Sequence, residues 1–437
     1  MKMRSALFAA ILAALSAQAL ADEAPGDMSA DPHAMHKMHD MPGMEKNNRE
    51  AMPEMPMAQG LLGPYPATRD ASGTAWQPDA SEHGGLHAML DGWMLMGHLQ
   101  LNAIYDTQSG PRGADKAFLA GMFMGSARRD FGSGTLSLRA MLSPDPFMGK
   151  RGYPLLLAGG ETADGVTHLV DRQHPHDLFM ELSASYSQRI SRDDSVFVYF
   201  GYPGEPALGP AAFMHRPSGM DNPAAPISHH WLDSTHITYG VATAGFVHGN
   251  WKLEVSQFTG REPDQHRFDF DNARFDSTSA RITFNPDDHW SMQVSFGHIV
   301  SPEQLDPPID ENRFTASATY VIRLGDEGSL AATLAFGAKH LSDGTDLNAL
   351  LFEAEYKPAD LWTLFTRAEW KQDEELGLSR AEVGELTLGA IRDFQVVEHA
   401  RIGLGASYSF AFAPDSLLPS YGGSPGGTMV FTRLAIE

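Results

Sequence analysis

Hydrophobic and polar residues alternate with a period of two along most of the chain after residue 92. In the stretch GWMLMGHLQLNAIYD, for example, Trp93, Leu95 and Leu99 fall on one face, and Met94 and His98 fall on the other. This period is typical of β-strands whose two faces meet different surroundings. Most of these stretches have at least the roughly 9–11 residues that a tilted strand needs to cross a membrane, and several end in Trp or Tyr. The alternation therefore predicts membrane-crossing strands.

Stretches of this kind recur about sixteen times along the chain. They cover residues 92–106, 116–129, 133–142, 177–190, 194–202, 235–248, 250–260, 273–285, 288–300, 312–324, 328–341, 346–357, 360–371, 382–393, 399–412 and 428–437. We therefore predict an all-β fold, a transmembrane antiparallel β-barrel of about 16 strands with a disordered N-terminal tail; a count of about 14 also fits the pattern.

The connections between the predicted strands alternate in length. Every second connection is short and turn-like, such as SRDD or NPDD, and the intervening ones are mostly longer, the longest covering residues 143–176 and 203–234. Outer-membrane barrels have short periplasmic turns and longer outer loops, and an even strand number brings both ends of the barrel to the periplasm. The alternative that the pattern leaves open is a soluble β-sandwich or propeller.

The first residues have the features of a secretory signal peptide. Lys2 and Arg4 precede an apolar run at residues 6–17, and residues 19–21 offer a small-x-small cleavage site. The following segment is rich in Met, His and Pro and poor in aromatic residues, so it cannot bury enough apolar surface to fold alone.

These features divide the chain into four predicted parts. They are a signal peptide at 1–21, a disordered Met/His-rich periplasmic segment at 22–60, a Gly/Pro-rich linker at 61–85 and an outer-membrane β-barrel at 86–437. The expected location is the outer membrane of a Gram-negative bacterium, with the N-terminal tail in the periplasm and outer-membrane lipid around the barrel.

Composition narrows the range of functions. The chain has no cysteine, which excludes disulfides and thiolate metal sites. Its formal net charge of −23 argues against a nucleic-acid partner. After the signal peptide, no apolar stretch approaches the roughly 20 residues that a transmembrane helix needs.

The tail carries the most specific chemical signal. The motif His-x-Met occurs three times in succession in HAMHKMHDM, and MPEMPM follows soon after. Thioether sulfur favours Cu(I), and imidazole suits Cu(II) and zinc, so this spacing gathers soft ligands without thiol chemistry. We therefore predict a copper site, for Cu(I), Cu(II) or both, ahead of silver, zinc and nickel. Its ligands are His33, Met35, His36, Met38, His39, Met41, Met44, Met52, Met55 and Met57.

Two further groups of residues are secondary metal-site candidates. The two longest loops contain the histidine-rich motifs DRQHPHD and SHHWLDSTH, and methionines occupy predicted lumen positions on the first strands. The secondary candidates are Met94, Met96, His98, His174, His176, Asp177, His229 and His230. The simpler interpretations are loop histidines that bond to the backbone and lumen methionines that pack against an inward-folded loop.

The tail resembles the Met/His-rich N-terminal segments of the copper-resistance B outer-membrane proteins, on the stretches MSADPHAMHKMHDMPGM and MPEMPM. The body is similar to uncharacterised outer-membrane proteins found with copper-resistance determinants, which share stretches like HPHDLFMELS and DSTHITYG. The resemblance implies copper sequestration or export, with a Met/His-rich periplasmic segment ahead of a barrel and periplasmic copper proteins as potential partners.

The sequence thus favours a barrel that binds copper through its tail and contributes to copper resistance, by export or sequestration. No nucleophile elbow, phosphate loop or zinc-protease motif occurs, so we do not expect an enzyme. Two alternatives stay open. One is a general or substrate-selective porin whose tail is incidental, and the less favoured one is a barrel hydrolase with a loop histidine at the membrane edge.

Overall fold

The computed structural model describes residues 59–82, 84–325, 328–377 and 380–436. The predicted signal peptide at 1–21 and nearly all of the predicted Met/His-rich segment at 22–60 lie outside the described residues. Everything below concerns the compact unit that begins at Gln59.

The described unit is built almost entirely of β-strands. The strands are β1 (Leu86–Leu90), β2 (Trp93–Gln108), β3 (Asp115–Phe131), β4 (Gly134–Leu142), β5 (Tyr153–Thr162), β6 (His168–Gln173), β7 (Phe179–Arg189), β8 (Asp194–Gly201), β9 (Val241–His248), β10 (Trp251–Phe258), β11 (Ser277–Phe284), β12 (Trp290–Ile299), β13 (Glu311–Leu324), β14 (Gly328–Leu341), β15 (Asp346–Ala359), β16 (Trp362–Asp373), β17 (Ala381–Val397), β18 (Ala400–Phe412) and β19 (Gly426–Ile436).

Helical structure is confined to single turns in the connections. The α-helical turns are α1 (His229–Leu232) and α2 (Leu418–Tyr421), and 3-10 turns lie at Ala67–Arg69, Asp145–Met148, Phe213–His215, Ser234–His236 and Asp415–Leu417. No helix of the described part of the chain is long and apolar enough to span a membrane.

The 16 strands β2–β4 and β7–β19 form one closed antiparallel cylinder, which confirms the predicted fold class. Neighbouring strands pair in chain order, and the last strand returns to the first, with Ile436 opposite Leu99. Closure matters because lipid offers no hydrogen-bond partner to the exposed backbone of an edge strand. Every strand of the cylinder therefore has a partner on each side.

The alternating hydrophobic and polar residues of each strand lie on the outer and inner faces of the barrel wall, respectively. On β10, Trp251, Leu253 and Val255 are exposed on the outside, while Lys252 and Glu254 are fully buried on the inside. Exposed hydrophobic residues of the same kind occur on nearly every strand of the cylinder and form its lipid-facing surface. The lumen face is largely polar and charged, with apolar patches where the inward-folded loops pack.

The connections give the cylinder two different ends. Short turns join β3 to β4, β7 to β8, β9 to β10 and the later pairs at one end, whereas long loops gather at the other. The short strand β1 lies outside the closed ring and forms a hairpin with the start of β2. Asp91 and Gly92 make its two-residue turn with φ values of +48° and +81°, as the Asp-Gly sequence favours.

Two loops fold into the cylinder. The first, residues 143–178, contains the β5–β6 hairpin, whose Leu155, Leu156 and Leu157 are almost completely buried. The second, residues 202–240, is called the lumen loop below, and nearly all of its residues are buried. It contacts opposite sides of the wall, because Ser218 bonds to Thr333 on β14 and Gln100 on β2 donates to the carbonyl of Met220.

A third segment, residues 59–82, packs on the lumen face at the short-turn end and is called the N-terminal plug. Ser195 donates to the carbonyl of Leu62 at 2.6 Å, and Lys252 donates to the carbonyl of Thr74. Trp76 is buried and stands edge-on to Tyr65 at 4.9 Å between ring centroids. The wall therefore satisfies the backbone of the plug with its own polar side chains.

The structure departs from the predicted elements in three places. Residues 61–82, assigned to a linker from their glycines and prolines, are packed because the lumen supplies hydrogen-bond donors that a linker in solution would lack. Two predicted strands begin later, at Val241 instead of 235 and at Ser277 instead of 273, because the preceding residues belong to the inward-folded and outer loops. The strands β1, β5 and β6 were not predicted.

A charge placed on the outer face should weaken the barrel. Val255 lies midway along β10 and points outward, so Val255→Arg would put a guanidinium near the middle of the lipid layer. We expect the free energy of unfolding from lipid vesicles to fall by about 2–4 kcal/mol, measured by urea titration. Val255→Leu is the matched control and should unfold like the unchanged protein. An equally stable Val255→Arg protein would mean that this face does not contact lipid.

Candidate functional site in the barrel lumen

Two sequence motifs that lie more than fifty residues apart meet inside the barrel. The motif DRQHPHD ends the first inward loop, and SHHWLDSTH lies in the lumen loop. Together they form a histidine cluster, defined here as His174, His176, His229, His230 and His236. Its ring centroids stand 5.1 Å apart between His229 and His236 and 5.2 Å apart between His176 and His236.

Three of these imidazoles are held by their Nδ1 atoms. His176 Nδ1 lies 2.8 Å from a carboxylate oxygen of Asp145, and His229 Nδ1 lies 2.7 Å from one of Asp233. His236 Nδ1 donates to the backbone carbonyl of Asp233 at 2.8 Å. A proton at Nδ1 leaves Nε2 as the free acceptor, which is the arrangement that supporting groups impose on metal-binding histidines.

The other two histidines face glutamates. His174 Nε2 lies 3.3 Å from Glu161, and His230 Nδ1 lies 3.3 Å from Glu262 and 3.9 Å from Glu303. All three glutamates belong to loops at the long-loop end. Glu161 is in addition paired with the guanidinium of Arg267, which also reaches Asp177.

The surroundings push these histidines toward different protonation states. Burial, strengthened by the positive charge of Arg267 and by the neighbouring imidazole of His230, lowers the pKa of His174 well below its usual value. Burial also lowers the pKa of His230, but the facing Glu262 and Glu303 carboxylates outweigh it and raise that pKa to about 9. Burial and the nearby Glu262 carboxylate raise the pKa of Glu303 to about 7. The cluster therefore combines a neutral imidazole, His174, with one imidazole, His230, whose protonated form is favoured.

An ion-pair network fixes the histidine cluster to the wall. Arg216 of the lumen loop contacts Asp233 at 2.5 Å and Glu353 on β15 at 2.6 Å. Glu353 also accepts from Arg367 on β16. Asp233 also bonds to His229. The position of this imidazole is therefore linked to β15 through Asp233, Arg216 and Glu353.

A methionine cluster, defined here as Met122, Met124, Met141, Met180 and Met214, lies beside the histidines. Nε2 of His215 stands 3.3 Å from the sulfur of Met141, and burial lowers the pKa of His215 to about 3. Met214 belongs to the lumen loop, whereas Met122 and Met141 belong to the wall. The lumen methionines thus pack against an inward-folded loop, and they also place sulfur atoms beside a neutral imidazole.

The structure brings together some of the predicted site residues and separates others. His174, His176, Asp177, His229 and His230 are gathered in or beside the histidine cluster. His98 is buried near His215, since the two imidazoles influence each other. Met94 and Met96 are half-buried near the start of β2, outside the methionine cluster.

The predicted copper ligands of the tail are outside the described residues. They are His33, Met35, His36, Met38, His39, Met41, Met44, Met52, Met55 and Met57. Their role as copper ligands stays a prediction.

Sequence reasoning missed the acidic partners of the histidines. Glu161, Glu262 and Glu303 come from three different loops, so no spacing along the chain connects them to DRQHPHD or SHHWLDSTH. The signal that the sequence does contain is weak: Glu262 and Glu303 each stand next to a proline in a long predicted outer loop. Only the folded loops bring these carboxylates to the imidazoles.

No protein-family profile and no curated protein matches the chain. Solved structures do match it over the barrel. The complex of Salmonella typhi OmpF with daunomycin matches with a TM-score of 0.51 and 11% identity, over 80% of this chain and 100% of that chain. OmpT of Vibrio cholerae matches with a TM-score of 0.45 and 9% identity, over 80% and 100% of the two chains. The outer membrane channel DcaP of Acinetobacter baumannii matches with a TM-score of 0.45 and 10% identity, over 81% and 100%.

The likeness to OmpF shows the fold. The chain has a porin-like β-barrel of the kind found in outer-membrane proteins of Gram-negative bacteria. The resemblance of the tail to the copper-resistance B proteins stays a prediction.

Removal of the Asp233 charge should loosen the lumen loop. In Asp233→Asn, Arg216 keeps Glu353 but loses its second carboxylate, and His229 loses a charged partner. Breaking a buried pair from one side is costly, so we expect the free energy of unfolding to fall by about 3 kcal/mol. Protease cleavage within the lumen loop, which is buried in the unchanged protein, should appear at the same time.

The chain supplies a matched control for this substitution. His340 Nδ1 also lies 2.7 Å from an aspartate, Asp346, but that pair is exposed at the surface. Asp346→Asn should leave both the unfolding midpoint and the protease resistance unchanged, because exposed pairs contribute little. If the two variants behave alike, the Asp233 network does not hold the lumen loop in place.

Proposed function

We propose that the protein is an outer-membrane channel of the porin type for small polar solutes, held closed by its own lumen loop and N-terminal plug. The observation that carries this proposal is the composition of the lumen. Most of the inward wall is polar and charged, as in a water-filled pore, yet the space inside it is occupied by segments of the same chain, which pack on its apolar patches.

The wall supports a channel because its inward side chains suit water. Inward positions on β10, β11, β13 and β15 carry Glu254, Arg281, Arg313 and Glu353, and many Ser and Thr residues also point inward. Barrels of 16–18 strands are wide enough to leave an aqueous channel, whereas barrels of about 8 strands are filled by side chains. The charged wall would therefore be hydrated if the loops moved out.

The lumen loop and the plug narrow the interior of the barrel, which is why we propose a closed state. Where the plug, the lumen loop and the wall meet, between Trp76, Arg216 and Arg281, the cavity has a volume of about 20 Å³. Such a cavity holds about one water molecule. Passage of a solute would therefore require displacement of the lumen loop, the plug or both.

The proposed orientation follows the outer-membrane pattern. Short turns of such barrels face the periplasm, and long loops face outward. In this orientation the N-terminal plug occupies the periplasmic mouth, and the histidine cluster lies toward the outer mouth. The Met/His-rich tail would then start from the periplasmic side.

Removing the lumen loop is a direct test, and the structure shows where to cut. The backbones of Gly204 and Thr238 exchange two hydrogen bonds of 3.0 and 2.9 Å, so both ends of the loop already form an antiparallel pair. Replacement of residues 205–237 by Asn-Gly would close this pair with a hairpin turn. We expect stable open conductance in planar bilayers, where the unchanged protein gives rare openings or none.

Two controls make this result interpretable. Heat-modifiable migration on gels and the circular dichroism of β-sheet establish that the shortened barrel is folded. Replacement of the exposed turn residues Arg192 and Asp193, which lie outside the lumen, controls for altered handling of the protein. A folded barrel without residues 205–237 that conducts no better than the unchanged protein would refute the channel.

A second candidate function is the binding of copper, which the methionine cluster favours. Met141 is in contact with the neutral imidazole of His215, and Met122 and Met180 are within the same cluster. Thioether and imidazole ligands together suit Cu(I). In this proposal the tail, from His33 to Met57, collects the ion in the periplasm, and the lumen cluster would be a second binding position.

This candidate is tested by counting Cu(I) equivalents bound to the full-length protein. Deletion of residues 28–57 should remove most of the bound Cu(I), and a tail with every Met changed to Leu and every His to Ala should match the deletion. In the deleted chain, Met141→Leu with Met180→Leu should remove what remains, because leucine keeps the apolar packing and loses sulfur. Equal Cu(I) binding by all four proteins would refute a copper function.

A further inference from the structure

Three potential ligands from three separate loops converge beside the histidine cluster. His230 lies on α1 in the lumen loop, Glu262 lies in the loop at 259–276, and Glu303 lies in the loop at 300–310. One ligand atom from each lies within 4.8 Å of the other two. These side chains are far apart in the sequence and meet only when the three loops fold. Their convergence is therefore not a result of local chain geometry.

The convergent atoms lack the partners that buried polar atoms usually have. The side chains of His230 and Glu262 are 7% and 6% exposed. Nε2 of His230 and Oε2 of Glu262 make no hydrogen bond, and Nδ1 of His230 only faces the Glu262 carboxylate at 3.3 Å without an aligned hydrogen bond. Buried polar atoms without partners carry a desolvation cost, so such a group points to a ligand that completes the site.

The charge at this position is also incompletely balanced. Across the described ranges, neither Glu262 nor Glu303 forms a direct ion pair with a lysine or arginine, and His230 is the one ion-pair partner of each. Glu303 also accepts a hydrogen bond from the backbone N–H of Glu161 at 3.3 Å. The nearby Arg267 is engaged with Glu161 and Asp177. Two carboxylates face a single imidazole, and the charges of Lys339 and Arg313 act on them only from more than 4.0 Å away.

The distances suit a metal ion. Bonds of about 2.0–2.2 Å in tetrahedral coordination place ligand atoms roughly 3.4 Å apart. Nδ1 of His230 is already 3.3 Å from Glu262 and 3.9 Å from Glu303. The donors are one nitrogen and two oxygens without sulfur, which selects a divalent ion such as Zn²⁺ over Cu(I). The site is thus chemically distinct from the methionine cluster.

We propose that His230, Glu262 and Glu303 bind a divalent transition-metal ion that clamps the lumen loop to two outer loops. The ion replaces the missing hydrogen-bond partners, neutralises both carboxylates and leaves its fourth position to water. The effect of the clamp on opening rests on the proposed channel, whereas the metal site itself does not. Binding of the ion stabilises the closed state, since displacement of the lumen loop would separate His230 from the two glutamates.

The test uses the full-length protein with His33, His36 and His39 changed to alanine in every arm, so that the tail does not bind the probe. Zn²⁺ is titrated calorimetrically into this protein after chelation. Glu262→Gln with Glu303→Gln keeps the size of both side chains and should weaken Zn²⁺ binding about 100-fold or more, because loss of even a supporting group costs 10–100-fold. The matched control is Asp306→Asn, an exposed carboxylate on the same loop as Glu303.

A second measurement covers the case in which the double variant fails to fold. Crystals of the unchanged protein grown with Zn²⁺ should give an anomalous difference peak between His230, Glu262 and Glu303. Equal Zn²⁺ affinity in the double variant and the control, or zinc-loaded crystals without this peak, would overturn the site.

Conductance separates failure of this inference from failure of the channel. With an active channel, Zn²⁺ should reduce the frequency of openings in the unchanged protein and not in the double variant. Zinc binding without any conductance, even after removal of the lumen loop, would refute the channel and leave the metal site standing. Zinc binding with openings that Zn²⁺ does not affect would refute the clamp.

Discussion

The size of the ring is the constraint on which the rest of the structure depends. Lipid forces the sheet to close, because unpaired backbone at an edge has no partner there. A cylinder of 16 strands encloses more space than its inward side chains can fill. The chain fills that space with its own lumen loop, the loop at 143–178 and the N-terminal plug. The interior consequently combines buried charged and polar groups of the wall with apolar clusters where the inward segments pack, and the lipid-facing surface is apolar.

A polar core requires its charges to be paired, and this requirement determines how the inward segments are held. Arg216 of the lumen loop lies between Asp233 and Glu353, and Arg433 of β19 lies between Asp221 and Asp393. Such pairs have costs of desolvation that can offset their attraction, so they specify position more than they add stability. If the lumen loop were displaced and water entered, these charged groups would be hydrated again. Their hydration would offset part of the attraction lost, so the free-energy difference between the inserted and the displaced loop is reduced.

The strands of the barrel wall could be predicted from the sequence, whereas the packing of the segments inside the barrel could not. The period of two locates all 16 ring strands, because opposite faces of each strand meet lipid and the lumen. The histidines of DRQHPHD and SHHWLDSTH stand out for their density. Glu262 and Glu303, in contrast, become partners of His230 only when three loops fold inward. The packing of residues 61–82 depends similarly on donors such as Lys252, which belong to distant strands.

The pairing of β19 with β2 imposes an order on assembly. The ring is complete only when the final strand reaches the first, which brings together residues near opposite ends of the polypeptide, such as Leu99 and Ile436. Contacts of such long sequence separation form slowly, because the entropy of joining distant segments is lost before the contact contributes. The inward segments enter either before closure, while the sheet is still open, or later through a mouth of the closed cylinder. Pairing of β19 with β2 therefore depends on both ends of the barrel sequence being present, so a chain cut short before β19 would keep an unpaired strand edge facing lipid.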